Sequence, residues 1–176
     1  MNYKYLGVTI NNKLTWHDHG LILYKKVNQR LFFLKKLHKF GINKQIIKIF
    51  YSATIESLLN FSITCWCGNS SLLIKHRLNR LIKKARNITQ AKLPLLEELF
   101  ETVCICKTKK ILADTSHPLH HKYIRSVRSG RILSLKVRTE RYKNSFVPQS
   151  IRIYQRAPPA VTNPNKSLSS RSSHVE

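Results

Sequence analysis

A formal net charge of +24 on 176 residues limits this chain's folding options more than any other feature. Thirty-two Lys and Arg face eight Asp and Glu, so a compact state repels itself unless something anionic relieves it. Nucleic acid is the commonest polyanion that basic proteins meet, and its phosphates bind by charge alone. The acids are also unevenly spread. None stands between His19 and Ile55, nor between Ser57 and Leu96. An ordinary solvated surface mixes both signs, so the cationic stretches point to phosphate contact.

The apolar fraction is 42%, enough for a packed core. The longest apolar runs, such as Phe61–Ile63 and Leu72–Ile74, are too short to cross a bilayer. The opening residues do not form the apolar segment of a secretory signal. The expected setting is intracellular, nuclear or cytoplasmic, and neither secreted nor membrane-bound. In that setting Cys65, Cys67, Cys104 and Cys106 are read as thiols.

Periodicity predicts a mainly α fold: a small helical bundle behind an N-terminal β-hairpin. Tyr3 to Trp16 supplies the hairpin, with Asn11–Asn12 as its turn and Gly7 marking a bulge or a close backbone approach. Helices are expected from Leu21 to Lys39, from Asn43 to about Phe61, from Leu72 to about Ile88, and from Leu95 to Leu112. The second is apolar most of the way round, which suggests a buried central helix. The third shows the clearest pattern. Ile74, Leu78, Leu81, Ala85 and Ile88 make one stripe, and Lys75, Arg77, Arg80, Lys83, Lys84 and Arg86 fill most of the rest. Alternation of Leu133, Leu135 and Val137 predicts a short basic strand or ribbon near 131–146. The expected divisions are a hairpin over 1–18, a helical bundle over 19–112, a basic extension over 113–156 and a disordered tail over 157–176. Nucleic-acid contacts are expected from Lys35, Lys36, Lys75, Arg77, Arg80, Lys83, Lys84, Arg131, Arg138, Arg141 and Lys143.

Several ordered segments resemble one family. Lys4–Tyr5–Leu6–Gly7–Val8–Thr9–Ile10, then Leu14–Thr15–Trp16 and His19, resembles non-LTR (LINE-type) retrotransposon reverse transcriptases. So do Gln29–Leu37, Phe50–Tyr51, Phe61–Thr64, Ser129–Gly130–Arg131 and Arg138–Phe146. The resemblance implies the region after the catalytic palm: a primer-grip-like hairpin bearing Tyr5, Leu6 and Gly7, then a helical thumb. It also implies a template–primer duplex or structured RNA as partner, with the catalytic part of a larger polyprotein lying upstream of Lys4. The chain departs from that pattern at Gly20, where an apolar residue is usual, at Asn11, where Asp is, and at Cys67, where an aromatic is. A second resemblance covers Leu21 to about Thr64, which is similar to the N-terminal helical module of the AlkB-type tRNA-modifying dioxygenase–methyltransferase. That likeness would imply an iron- and 2-oxoglutarate-dependent oxygenase or a methyltransferase.

Neither chemistry finds its residues. A polymerase needs paired carboxylates for two metal ions, and the two aspartates, Asp18 and Asp114, have no acidic neighbour. A facial triad needs two His and a carboxylate; His17–Asp18–His19 has those types in the wrong order and is read as a solvated turn. Glycines at 7, 20, 41, 68 and 130 are too scattered for a nucleotide-binding loop. Each cysteine pair is separated by one residue, against the commoner two to four for zinc, so buried thiols are expected. His117, His120 and His121 are read as loop residues. The expectation is a nucleic-acid-binding chain with no catalytic residue and no cofactor of its own.

Overall fold

The structure is a computed structural model and describes residues 2–157. The tail expected over 157–176 lies, beyond Ala157, outside the described residues. The fold is mostly helical behind a two-stranded antiparallel hairpin. The chain divides into two compact units, Met1–Val103 and Cys104–Glu176.

In the first unit, β1 (Asn2–Tyr5) pairs with β2 (Val8–Asn11), with Tyr5 opposite Val8 and Tyr3 opposite Ile10. The hairpin closes at Leu6–Gly7 and not at Asn11–Asn12. Both Leu6 (φ 43°) and Gly7 (φ 82°) are left-handed, which suits the twist of a two-residue hairpin turn. Asn11 organises the next turn instead: its Oδ1 accepts the Thr15 N–H at 2.8 Å.

That turn leads into α1 (His17–Lys39), which starts four residues before the expected Leu21. Asp18 lies at its positive end, and Lys36, His38 and Lys39 at its negative end. Leu23, Val27, Leu31 and Leu34 form the buried stripe. Gly41 at φ 72° ends the helix, its N–H donating to the His38 carbonyl at 3.1 Å.

The expected second helix is present in three pieces: α2 (Lys44–Tyr51), a π-helical turn (Ser52–Glu56) and α3 (Ser57–Asn60). Asn43 caps it by accepting the Gln45 N–H. Its buried residues are Ile47, Tyr51, Ile55 and Leu59, each four apart. In a uniform α-helix such a series drifts by about 40° per step. The wider π turn rotates less per residue and brings the series back onto one face. The helix is therefore buried on one face and not all round, and the apolar Ile46 and Ile49 are exposed.

After α4 (Ile63–Trp66), Ser71 caps α5 (Leu72–Thr89) through the Ile74 N–H. Ile74, Leu78, Leu81, Ile82, Ala85 and Thr89 are buried, and Ile88 is only half-buried. α6 (Leu96–Ala113) follows, and Asn79 of α5 caps it: Asn79 Oδ1 accepts the Leu96 N–H at 3.0 Å. Glu98 reaches back to the Leu95 N–H at 2.9 Å.

The second unit has its own core of Ile111, Tyr123, Ile132 and Ile151, with Phe146 and Leu119 packed against it. The Tyr123 hydroxyl meets Ser150 Oγ at 2.7 Å inside it. The ribbon expected near 131–146 is brief: an isolated antiparallel bridge joins Arg125 and Ile132. Residues 139–143 turn into α7 (Glu140–Lys143), and α8 (Phe146–Arg156) follows, where only a basic extension is expected.

Candidate nucleic-acid interface

The α1–α5 packing builds a concentrated basic surface in the first unit. Gly20 lets the two helices approach: a Cβ there would lie 2.5 Å from Ile74 Cγ2. Further along, Tyr24 of α1 and Leu81 of α5 floor a small cleft of about 110 Å³ rimmed by Arg77, Arg80 and Lys84. Residues 77, 80 and 84 fall on one side of a helix because they are three and four apart. Lys83 is exposed beside them. Among the described residues, none of these four basic side chains pairs with a carboxylate. The nearby acids are engaged elsewhere: Glu97 with Asn79 at 2.8 Å, Glu98 at the α6 cap, and Glu56 with Ser52 at 2.7 Å.

The remaining expected contacts separate. Lys75 is half-buried, next to Cys67, and about 140° round α5 from Arg80. Lys35 and Lys36 are exposed on α1, with Lys36 Nζ 5.5 Å from the Phe32 ring centroid. In the second unit, Arg131 shares a depression of about 340 Å³ with Arg125, Tyr154 and Gln155. Arg138 and Arg141 are exposed. Lys143 forms an ion pair with Glu140 at 2.9 Å, so its charge is partly spent locally. Sequence reasoning missed Tyr24 and Arg125. Tyr24 joins the cleft through a helix pairing that no local spacing reveals. Arg125 faces Ile132 across the bridge, which the dense run of basic residues obscured.

Tyr5 and Leu6 are exposed at the hairpin tip. Gly7 is a close approach as well as a turn residue: a Cβ on it would lie 3.2 Å from the Phe61 ring. Tyr5, Leu6, Trp16 and Phe61 flank an apolar groove of about 630 Å³.

His17–Asp18–His19 is not a solvated turn. It forms the first turn of α1, and His19 is 3% exposed. His19 Nδ1 accepts the Thr9 N–H at 3.3 Å, and its ring lies edge-on to Trp16 and Trp66. Burial, reinforced by the Lys26 charge, holds its pKa below the ordinary value. Asp18 Oδ2 accepts from Asn11 Nδ2 at 3.2 Å. These groups point to separate partners and do not fit an iron triad. Among the described residues no three His, Cys, Asp or Glu side chains come together as metal ligands. In each cysteine pair one thiol is exposed, Cys65 and Cys106, and one buried, Cys67 and Cys104. Burial, with a smaller opposing effect of Lys75, pushes the Cys67 thiol up to about 12. No described helix is long and apolar enough to cross a membrane.

Residues 16–57 match the family described as alkylated DNA repair protein alkB homolog 8, N-terminal. The matched segment runs from the start of α1 through α2 and the π turn, well short of half the chain. No curated protein sequence matches the chain, and no solved structure does.

Proposed function

We propose that this chain is a nucleic-acid-binding module that holds phosphates along the cationic face of α5, without chemistry of its own. One observation carries the reading: Arg77, Arg80, Lys83 and Lys84 share one solvent face of a folded helix, and among the described residues no carboxylate pairs with them. Lys35 extends the face, lying about 17 Å beyond Tyr24 on nearly the same side of α1. Arg131, Arg138 and Arg141 supply further cationic surface in the second unit.

The family match over residues 16–57 supports an AlkB-homologue-type helical module, a piece that accompanies nucleic-acid chemistry performed by other domains. Oxygenase or methyltransferase activity would then belong to a separate part of a larger protein. The hairpin favours a second reading. An exposed Tyr5–Leu6–Gly7 tip ahead of a helical unit has the element order of a primer grip and thumb, so the duplex would be a reverse transcriptase's template–primer. Both readings place the chain inside the cell, in the nucleus or cytoplasm, and both require the same phosphate grip.

The test is binding of the purified chain to two duplexes of unrelated sequence over a range of salt. About four contacts give a log–log slope of roughly −3 to −4, similar for both sequences. An affinity that ignores salt would overturn the reading.

A further inference from the structure

The outer face of α1 carries an aromatic surface that phosphate binding leaves unexplained. Phe32, Phe33 and Phe40 are 56%, 50% and 76% exposed, although a helix of this amphipathic type has its apolar stripe elsewhere. Exposed apolar residues that cluster, unlike scattered ones, mark a binding surface. Phe32 and Phe33 stand edge to face, with centroids 5.8 Å apart. Phe40 is the residue that caps the end of α1; seven positions after Phe33, it lies on nearly the same side of the helix and about 10 Å further along its axis. Lys36 lies about 60° round the helix from Phe33 and Lys39 about 20° from Phe32, and both are exposed. No acid occurs on α1 after Asp18.

We propose that this face binds single-stranded nucleic acid, with unpaired bases stacking on the Phe33 and Phe40 rings while the neighbouring lysines hold the backbone. The charge chooses the occupant: the charged residues α1 places beside its rings are all cations, so the complement is an anion that also carries flat apolar faces. Single strands have both, and stacking on aromatic side chains tolerates any base. A duplex hides its base faces and offers only phosphate. The convex face of one helix also provides no groove to seat an acidic peptide. The span between Phe33 and Phe40 suits about three nucleotides at the ~3.4 Å stacking distance.

The proposal deepens the nucleic-acid reading by adding a preference for unpaired segments at a site separate from the α5 face. The test compares the full chain with Phe33→Leu/Phe40→Leu and with Phe33→Tyr/Phe40→Tyr, using a 12-mer oligothymidine and a 12-base-pair duplex. The Leu pair should weaken oligothymidine binding about ten-fold or more, leave duplex binding within about two-fold, and be rescued by the Tyr pair. Ultraviolet cross-linking of oligothymidine to the unaltered protein gives a readout independent of variant folding. Adducts should fall on the peptide containing Phe32, Phe33 or Phe40. Equal loss for both ligands, no loss for either, or adducts confined to other peptides would overturn the proposal. So would normal oligothymidine binding by a Leu pair that no longer adheres to anionic vesicles or an acidic peptide. If the unaltered chain binds duplex but not oligothymidine, this inference alone falls; if it binds neither, the phosphate-grip reading falls with it.

Discussion

Gly20 and Ile74 pack so tightly that a Cβ on the glycine would sit 2.5 Å from the isoleucine Cγ2. Gly20 is buried at the end of the first turn of α1, where glycine costs up to about 0.5–1 kcal/mol relative to Ala. The contact offsets that cost by letting α1 and α5 close, and Tyr24 reaches the α5 cleft one turn later. Gly20→Ala should therefore destabilise the fold by about 1–2 kcal/mol, since overpacking outweighs the propensity gain. Ile74→Leu removes the β-branch at the contact, and the double variant should recover at least about 0.5 kcal/mol of coupling. Denaturant unfolding of the four proteins checks this; additive losses would show that the contact does not limit helix approach.

His19 gives the fold a pH dependence of definite sign. Its Nε2 is buried without a hydrogen-bond partner, and burial followed by the Lys26 charge lowers its pKa below 6.5. The unfolded chain then takes up a proton near pH 6.5 that the folded chain still refuses. This contribution is complete above pH 6.5 and is lost as pH falls from there through the folded value, at no more than about 1.4 kcal/mol per pH unit. Urea unfolding between pH 8 and 5 should show a shallower decline for His19→Gln than for the unaltered chain. Parallel declines would mean that His19 does not contribute.

The thiols should divide by exposure. Cys65 and Cys106 are exposed, whereas Cys67 and Cys104 are buried. The buried Cys67 is pushed up to about 12, so it holds little of the reactive thiolate at pH 8. An aromatic disulfide reagent at that pH should modify Cys65 and Cys106 promptly, and the other two only with denaturant. Prompt reaction of Cys67, located by peptide mapping, would contradict its burial beyond the end of α4.

The amphipathic helices were legible because their signals are local. The four- and three-residue spacings in α5, the Asn43 cap and the Ser71 cap each involve residues within one turn of one another. Features set by distant partners were not legible. The hairpin turn moved because Leu6 had to accept a left-handed backbone, which β-sheet pairing of Tyr5 with Val8 enforces and side-chain type disfavours. His19 looked like a solvated residue until Thr9, Trp16 and Trp66 closed around it. The π turn has no spacing signature beyond a strict four-residue series, Ile47–Tyr51–Ile55–Leu59. For α8, Val147, Ile151 and Tyr154 do show helical spacing, but the surrounding basic run hid it. The α5 face was legible as basic, and the offset of Lys75 from Arg80, about 140°, follows from helix spacing; that Tyr24 joins the face depended on how α1 packs.

The central claim is that α5 turns one face to the core and the other to phosphate, and Arg80 with Lys84 tests it most directly. Leu81, only 2% exposed, is the internal control: Leu81→Ala should cost about 2–5 kcal/mol of stability. Arg80→Ala/Lys84→Ala should leave stability within a few tenths of a kcal/mol, as exposed changes usually do. The decisive measurement is the salt dependence of duplex binding by that double variant. The expected result is weaker binding to all sequences alike and a log–log slope shallower by up to about 2 units. An unchanged slope in a variant that melts early would contradict the account, because Arg80 and Lys84 would then support the fold and not the grip.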